Sequence, residues 1–175
     1  MSYQSVLKDD HFKGKTILVT GSGSGFGRCI AHELASLGAT ILMMGRTEEK
    51  LVTVKAEIEG DNPGAIVDYG CADIRDAEAV DSVIDKFVAD HGQIHGLVNN
   101  AGGQFPADLE NISPNGFLAV VRTNLLGGFI VSKAVFLKSM KEHGGAIVNI
   151  TADNFGGMPR MSHSGASRAG MENLT

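Results

Sequence analysis

The sequence predicts an α/β fold: a doubly wound parallel sheet with strand order 3-2-1-4-5 and helices on both faces. From residue 16 onward, short apolar, β-branched runs alternate with amphipathic helical segments, which is typical of βαβ units. A glycine-rich turn joins the first predicted strand to the first predicted helix. Candidate binding residues follow several strands, and a doubly wound sheet binds its ligands at these carboxyl ends. Right-handed crossovers between the units give the strand order.

The first unit consists of a buried strand over Thr16–Val19, the turn Thr20–Gly27, and a helix from about Gly25 to Leu37. The turn reads T-G-x-x-x-G-x-G and not the more common G-x-G-x-x-G. Small residues let the backbone approach a pyrophosphate, and the free N–H groups of a helix N-terminus favour its negative charge. A flexible Gly/Ser linker is the alternative, but a linker does not lie between a buried strand and an amphipathic helix. The turn therefore predicts a dinucleotide phosphate site built from Gly21, Ser24, Gly25, Phe26 and Gly27.

The remaining elements continue the alternation. Further strands are predicted over residues 40–44, 65–71, 94–98 and 146–150. Further helices are predicted to begin after Thr47, at Asp73 or Asp76, at Ser113-Pro114 and near Gly165. The helix that begins at Ser113-Pro114 is long and runs to about Met140. With residues 1–13 as a leader on the first strand, and with no repeat or linker, we expect one dinucleotide-binding domain over residues 1–175.

Composition and charge narrow the function class. The net charge of −5 argues against a nucleic-acid partner held by a basic surface. Cys29 and Cys71 lack companions at metal-ligand spacing, so we expect buried thiols in a reducing compartment, with neither a disulfide nor a metal site. No run has signal-peptide character or is long enough to span a bilayer. These features predict a cytoplasmic protein with no membrane partner.

The residue after the second strand indicates which dinucleotide binds. In many dinucleotide folds an acidic residue at this place bonds the ribose 2′-hydroxyl and repels a 2′-phosphate. Here Gly45 is followed by Arg46, and a guanidinium is well shaped for phosphate recognition. A solvent-exposed arginine at a helix start is the alternative. The sequence therefore favours NADP(H) over NAD(H), with Arg46 on the 2′-phosphate.

Four stretches in register resemble the short-chain dehydrogenase/reductase family. They are the turn Thr20–Gly27, the pair Asp73-Ile74, the N-N-A-G run Asn99–Gly102, and Asn124 inside the long helix. The resemblance implies that Asp73 holds the adenine and that Asn124 bends its helix and anchors a proton-relay water. The alternative for Asn124 is a buried polar residue satisfied by its neighbours. The resemblance also implies that the cofactor cleft is lined by Asn100, Ala101 and Gly102, with Asn100 on the nicotinamide ribose side.

The chain departs from the family in the active site. The family's Tyr-x-x-x-Lys pair aligns with Ser164-x-x-x-Arg168, and the only tyrosines, Tyr3 and Tyr69, fall in the leader and the third strand. A serine hydroxyl is too weak an acid to protonate an alkoxide near pH 7. Arg168 can still hold ribose hydroxyls, but it does not share a proton as lysine does. The resemblance thus places Asn124, Ser164 and Arg168 at the catalytic positions.

Residues 140–145 and 162–170 resemble a subgroup of the family that contains peroxisomal trans-2-enoyl-CoA reductase. The 2,4-dienoyl-CoA reductases also lack the usual tyrosine and use one from an earlier loop position, which matches Asp153 here. In this subgroup the hydride of NADPH goes to a carbon of an enoyl thioester, so the missing tyrosine fits a change of reaction. The resemblance implies a small-molecule or acyl-CoA substrate. His163 is a candidate proton donor, and a surface residue at a helix N-terminus is the alternative.

Two other functions stay open: an alcohol or ketone dehydrogenase with a substitute acid, and a nucleotide-binding scaffold without turnover. The apolar stripe of the last helix stops at Thr175, whereas the family continues with further strands and a substrate lid. We therefore expect a chain that lacks the family's last strands, binds cofactor weakly and has little activity by itself. A C-terminal peroxisomal address stays open for the same reason. Because the long fourth and the fifth helices form dimer faces in the family, the resemblance implies a homo-oligomer.

Overall fold

The computed structural model describes residues 5–175, so Tyr3 lies outside the described residues. The strands are β1 (Thr16–Thr20), β2 (Thr40–Gly45), β3 (Val67–Cys71), β4 (Gly96–Asn99) and β5 (Ala146–Asn149). They pair in parallel in the order β3-β2-β1-β4-β5. The predicted fold class and strand order are thereby confirmed.

Helices connect the strands and cover both faces of the sheet. They are α1 (Gly25–Ser36), α2 (Glu48–Asp61), α3 (Ala77–His91), α4 (Pro114–His143) and α5 (Ser162–Leu174). Two π-helical turns, Arg122–Leu126 and Phe136–Met140, lie within α4. A short 3₁₀ turn, Leu109–Asn111, precedes that helix.

Side-chain caps decide where two helices begin. Asp76 accepts hydrogen bonds from the backbone N–H groups of Glu78 and Ala79, both at 3.1 Å. Of the two predicted starts of α3, Asp76 is therefore the N-cap, because a carboxylate there satisfies otherwise unpaired N–H groups. Ser113 caps α4 in the same way, and Pro114 occupies the first helical position as predicted.

Besides β4, which begins at Gly96 and not at residue 94, two elements begin at residues other than those predicted. β3 starts at Val67, because the N–H of Ala65 donates to the carbonyl of Asn62 (2.9 Å) and keeps the preceding residues in a turn. α5 starts at Ser162, because the N–H of Gly165 already donates to the carbonyl of Met161 (2.9 Å). Both shifts arise from turn hydrogen bonds that residue type alone does not show.

The sheet is buried on both faces, which explains the continuous apolar runs of β1 and β2. On one face, Leu18 belongs to a cluster with Phe87 of α3 and Val131 of α4. On the other face, Ile41 belongs to a cluster with Ile58 of α2. The carboxyl ends of the strands are thus held rigidly between two helical layers.

The prediction of buried cysteines was wrong. The side chains of Cys29 and Cys71 are both exposed. Cys29 lies on the side of α1 opposite to its buried positions, such as Ala31 and Ala35, and Cys71 is the last residue of β3, where the strand leaves the core. The exposure of Cys29 is set by the side of the helix on which it lies, and that of Cys71 by its position at the end of a strand. The apolar character of the thiol does not decide it.

The prediction that no run is long enough to span a bilayer was also wrong, because α4 has 30 residues and its most apolar window has a mean hydropathy of 1.4. A core helix passes the same test of length and composition. In the fold, α4 buries Val120, Val131 and Val135, and Val131 and Val135 belong to the cluster beneath the sheet. This packing accounts for part of its apolar character.

Candidate functional site

A cleft of about 590 Å³ lies at the carboxyl ends of the strands. Its walls come from the glycine turn after β1 and from the residues that follow the other four strands. Of the predicted cofactor residues, the lining includes Gly21, Ser24, Phe26, Arg46, Asp73, Asn100, Ala101 and Gly102. Gly25 borders an adjoining depression, and Gly27 is buried beneath the turn. The structure therefore brings the predicted cofactor residues to one place.

The glycine turn has the shape that close approach of a phosphate requires. Gly21 and Gly25 have positive φ angles of 67° and 56°, a region that favours glycine. A Cβ on Gly27 would lie 2.4 Å from the carbonyl oxygen of Gly21, whereas one on Gly25 would meet no atom within 4 Å. Ser24, the N-cap of α1, makes no side-chain capping bond. Open space before a helix N-terminus with an available hydroxyl fits a pyrophosphate.

Thr20 ties the turn to the segment after β4. Its hydroxyl accepts hydrogen bonds from the N–H groups of Asn100 (3.1 Å) and Ala101 (3.0 Å) and donates to the carbonyl of Val98 (3.3 Å). The side-chain amide of Asn100 donates to the carbonyl of Thr20 (2.9 Å). Thr20 was not predicted as a functional residue. Its position as the first residue of the glycine motif could have indicated this role.

Charged side chains gather where β2 and β3 end. Arg46, Lys50, Arg75 and Asp73 all line the cleft there. Asp73 accepts hydrogen bonds from the backbone N–H of Arg75 (3.0 Å) and from its Nε (2.9 Å) and Nη2 (2.5 Å). Chiefly because of these side-chain hydrogen bonds, the pKa of Asp73 falls to about 2. Sequence reasoning missed Lys50 and Arg75, whose only signal was their nearness to the strand ends.

Asn124 and Arg168 meet at the other end of the cleft. Asn124 is buried in the first π-helical turn of α4, where Oδ1 accepts from the N–H of Gly103 (2.8 Å) and Nδ2 donates to Ser167 Oγ (3.3 Å). Arg168 donates from Nη1 to the carbonyl of Ile150 (2.5 Å). A Cβ on Gly102 would lie 2.8 Å from Arg168 Nη2 and 3.1 Å from Asn124 Oδ1. Gly102 therefore permits the close approach of these two side chains.

The Arg168 guanidinium is a half-buried cation. Burial lowers its pKa, and its Nε is buried without a hydrogen-bond partner among residues 5–175. No carboxylate pairs with it within the part of the chain that the structure describes. A partly buried cation beside a cleft stabilises negative charge that forms on a bound molecule during a reaction.

Ser164 does not face the cleft. Its side chain is fully buried, and its hydroxyl donates to Gln104 Oε1 at 2.6 Å. Gln104 does line the cleft, so this amide stands between Ser164 and the open space. Sequence reasoning missed Gln104, because the residue lies in the loop after β4 and no motif marks it.

His163 is fully buried as well, so the alternative of a surface residue was wrong. Its ring stands edge-on to Phe105, with 4.5 Å between the ring centroids, and Nδ1 accepts from the N–H of Ser164 (2.9 Å). The neutral ring then carries its proton on Nε2. His163 does not line the cleft, so the geometry gives no support to the prediction of a proton donor.

The other candidate acids also lie elsewhere. Asp153 is exposed in a turn, where its carboxylate accepts from the N–H of Phe155 (3.3 Å). The hydroxyl of Tyr69 donates to Glu48 (3.1 Å) on the edge of the sheet. Neither residue lines the cleft. No group of three or more His, Cys, Asp or Glu side chains arranged for a metal ion is found within residues 5–175.

Comparison with known families gives one match over nearly the whole chain. The family model described as short chain dehydrogenase matches residues 15–175. This span contains the glycine turn, the N-N-A-G run, Asn124 and the Ser164/Arg168 pair.

Individual relatives agree on the family and differ in substrate. The chain is 33% identical over 170 residues to the peroxisomal 2,4-dienoyl-CoA reductase SPS19 of Saccharomyces cerevisiae, covering 95% of this chain and 58% of that protein. It is 33% identical over 164 residues to the 3-oxoacyl-[acyl-carrier-protein] reductase FabG of Thermotoga maritima, covering 93% and 66%. The solved structure of the citronellol catabolism dehydrogenase AtuB of Pseudomonas aeruginosa superposes with a TM-score of 0.94 at 52% identity, covering 99% and 70%. The chain thus spans about three fifths of the yeast reductase.

Proposed function

The chain belongs to the short-chain dehydrogenase/reductase family, and from this premise we propose that it forms the dinucleotide-binding part of an NADP(H)-dependent oxidoreductase that reduces the C=C bond of an enoyl-CoA-type substrate. One observation carries the proposal: Ser164, at the position of the family's tyrosine, holds an amide, Gln104, against the cleft. The name of the yeast relative, a 2,4-dienoyl-CoA reductase, supports the same substrate class.

The cleft residues suit NADP(H). The glycine turn would hold the pyrophosphate, and Arg46 would hold the 2′-phosphate, with Lys50 as a second cation nearby. Asp73 is the only acidic residue of the lining within residues 5–175, and Arg75 already engages it. A 2′-phosphate would therefore meet no free carboxylate. When bound, NADPH supplies a hydride.

Reduction of a conjugated thioester needs stabilisation of charge on the thioester oxygen. Hydride addition to the β carbon moves the C=C electron pair toward that oxygen, and a proton from solvent then completes the new C–H bond at the α carbon. Gln104 suits this step, because Ser164 occupies Oε1 and leaves the two N–H donors of Nε2 for the substrate. The charge of Arg168 adds to the stabilisation.

A ketone substrate would demand a different site. Its alkoxide must take a proton from a positioned acid with a pKa near the working pH. The lining formed by the described part of the chain contains no Tyr, His, Cys or Glu, and the pKa of Asp73, at about 2, keeps that carboxyl ionised. The enoyl reaction is therefore favoured over ketone reduction.

The test uses the full-length protein as it occurs in the cell. NADPH absorbance is followed with a medium-chain trans-2-enoyl-CoA, with the matching 2,4-dienoyl-CoA, and with a ketone of similar size. We expect oxidation of NADPH with an unsaturated thioester and none with the ketone. Turnover of the ketone alone would favour the carbonyl reductase alternative, which the similarity to the 3-oxoacyl reductase supports. Tight NADPH binding with no turnover would leave the nucleotide-binding scaffold.

Assembly and location belong to the same proposal. We propose that the full-length protein is a homo-oligomer, because α4 exposes a set of large apolar side chains: Phe117, Leu118, Leu126, Phe129, Phe136 and Leu137.

We also propose a cytoplasmic location, with the peroxisome as the alternative, since the yeast relative is peroxisomal. Imaging of the fluorescently tagged full-length protein distinguishes the two compartments.

A further inference from the structure

The loop after β3 holds an arginine whose role the proposed reaction leaves open. Within residues 73–76, Asp73 accepts three hydrogen bonds from Arg75, and the carbonyl of Asp73 accepts the N–H of Asp76 (2.9 Å). A guanidinium bound to both carboxylate oxygens through Nε and Nη2 is held in the plane of that carboxylate. Asp73 therefore fixes the orientation of the Arg75 side chain.

The hydrogen bonds to Asp73 use the edge of the guanidinium, and neither of them covers a face of the group. The Arg75 side chain is 41% exposed and lines the cleft. Within the described residues, the hydrogen bonds and the ion pair of its side chain are those with Asp73. A planar guanidinium with an open face stacks readily on aromatic rings, and adenine is such a ring.

Charge argues against a phosphate role for Arg75. Its guanidinium lies against the Asp73 carboxylate, which stays ionised, so a phosphate brought to this cation would also meet an anion. Arg46 and Lys50, which line the same end of the cleft, form no ion pair with a carboxylate among residues 5–175, although the charge of Arg46 contributes to the lowered pKa of Asp73. The phosphate contacts therefore belong to those two residues.

We propose that Arg75 stacks one face of its guanidinium on the adenine ring of the cofactor and that Asp73 is the positioning residue that holds it. The inference rests on the proposed binding of NADP(H) and deepens it. The resemblance to the family implies that Asp73 itself holds the adenine. Here Asp73 acts through Arg75.

Calorimetric binding to the full-length protein tests this assignment. The probes are NADPH, NADH and reduced nicotinamide mononucleotide, which has no adenine. We expect Arg75→Ala to weaken NADPH and NADH alike by about fivefold and to leave the mononucleotide unchanged. Arg75→Lys keeps the charge but loses the plane, so it should weaken both dinucleotides nearly as much. Asp73→Asn should have an intermediate effect, because the carboxylate that orients Arg75 is lost.

Each other outcome has a distinct meaning. Unchanged NADPH affinity in Arg75→Ala would overturn the inference, and so would a selective loss of NADPH affinity that Arg75→Lys restores, since that pattern marks a phosphate contact. A wild-type protein that binds neither dinucleotide would overturn the proposed function itself. Lys8→Ala, at an exposed lysine outside the cleft, controls for removal of a positive charge, and circular dichroism confirms that each variant is folded.

Discussion

The resemblance to the family places Ser164 at the family's acid position, but the contacts of Ser164 fit a supporting role. The side chain is fully buried and bonds Gln104 Oε1 at 2.6 Å. A buried hydroxyl bonded to an amide restricts the rotation of that amide. In the proposed reaction, the atom of this pair that faces the substrate is therefore Gln104 Nε2, and the serine helps to set its orientation.

At the residue scale, Gln104→Glu should lower kcat with the preferred enoyl-CoA by about a hundredfold, because it replaces an oxyanion donor with a negative oxygen of the same shape. Ser164→Ala should cost less, since the donor remains but is less well oriented. Steady-state kinetics and NADPH titration measure both effects, and NADPH affinity should change little. Full kcat in Gln104→Glu would contradict the assigned role. Gln93→Glu is the matched control. Gln93 donates hydrogen bonds to the carbonyls of His143 and Gly144 and does not line the cleft.

At the scale of elements, α4 serves the site and the surface at once. Asn124 is buried in a π-helical turn and bonds the N–H of Gly103 after β4. Such turns place an extra residue in the helix and are frequent at functional sites. The contacts of Asn124 fit both the predicted catalytic position and the alternative of a satisfied buried residue. The opposite side of α4 is apolar and exposed, with Phe129 and Phe136 two turns apart.

This exposed apolar side predicts self-association. Phe129→Glu combined with Phe136→Glu should convert the full-length oligomer to a smaller species, because burying two unpaired carboxylates in an interface is unfavourable. Size-exclusion chromatography with light scattering measures the mass. Val52→Glu, at an exposed apolar residue of α2, is the control. A wild-type protein that is monomeric at all concentrations would refute the assembly proposal.

The junction between β1 and β4 predicts a pH-dependent stability. The N–H of Thr16 donates to His95 Nδ1 (3.1 Å), and burial, with the nearby Lys15 charge, lowers the pKa of His95. The folded state therefore favours the neutral ring, while the unfolded chain gains protons below a pKa of about 6.5. This contribution to stability is present above that pKa and declines as the pH falls below it.

His95→Gln keeps an acceptor for Thr16 but does not titrate. Compared with wild type, its urea midpoint should fall less between pH 7.5 and pH 5.5, values of about one unit either side of the ordinary histidine pKa. The difference between the two proteins isolates His95 from the other histidines. Equal pH dependence in both would show that His95 is not the responsible group.

At the scale of the whole molecule, the cleft is assembled from segments that follow all five strands. Binding of a cofactor to the folded state alone should therefore stabilise the entire fold. NADPH at a hundred times its Kd should raise the free energy of unfolding by about 2.7 kcal/mol. At equal concentration NADH should stabilise less, and Arg46→Ala should remove most of the difference because it removes the proposed 2′-phosphate contact.

Chemical unfolding at fixed nucleotide concentration checks this prediction. Lys8→Ala, at an exposed lysine outside the cleft, should retain the full difference between the two nucleotides. Equal stabilisation of wild type by NADPH and NADH would contradict the proposed NADP(H) preference.

Much of the fold was predictable because its signals are local. The alternation of apolar runs with helical stripes located the strands and helices, and the T-G-x-x-x-G-x-G turn marked the cofactor cleft. The errors have a common origin. The exposure of Cys29 depends on which side of α1 meets the sheet. The predicted helix at α4 was not recognised as apolar enough to span a bilayer, because its apolar run is interrupted by polar residues such as Asn124.

The sequence by itself determined the order of the elements, the glycine turn and the charge at Arg46, because periodicity, capping and residue type act over a few neighbouring positions. Only the tertiary structure decided that Ser164 supports Gln104, that His163 is buried against Phe105, and that Asp73 bonds Arg75 with both oxygens. Gln104 and Ser164 lie 60 residues apart in the chain. Their contact exists only because β4 and β5 pair in parallel, which brings the loop after β4 and the start of α5 to the same edge of the sheet.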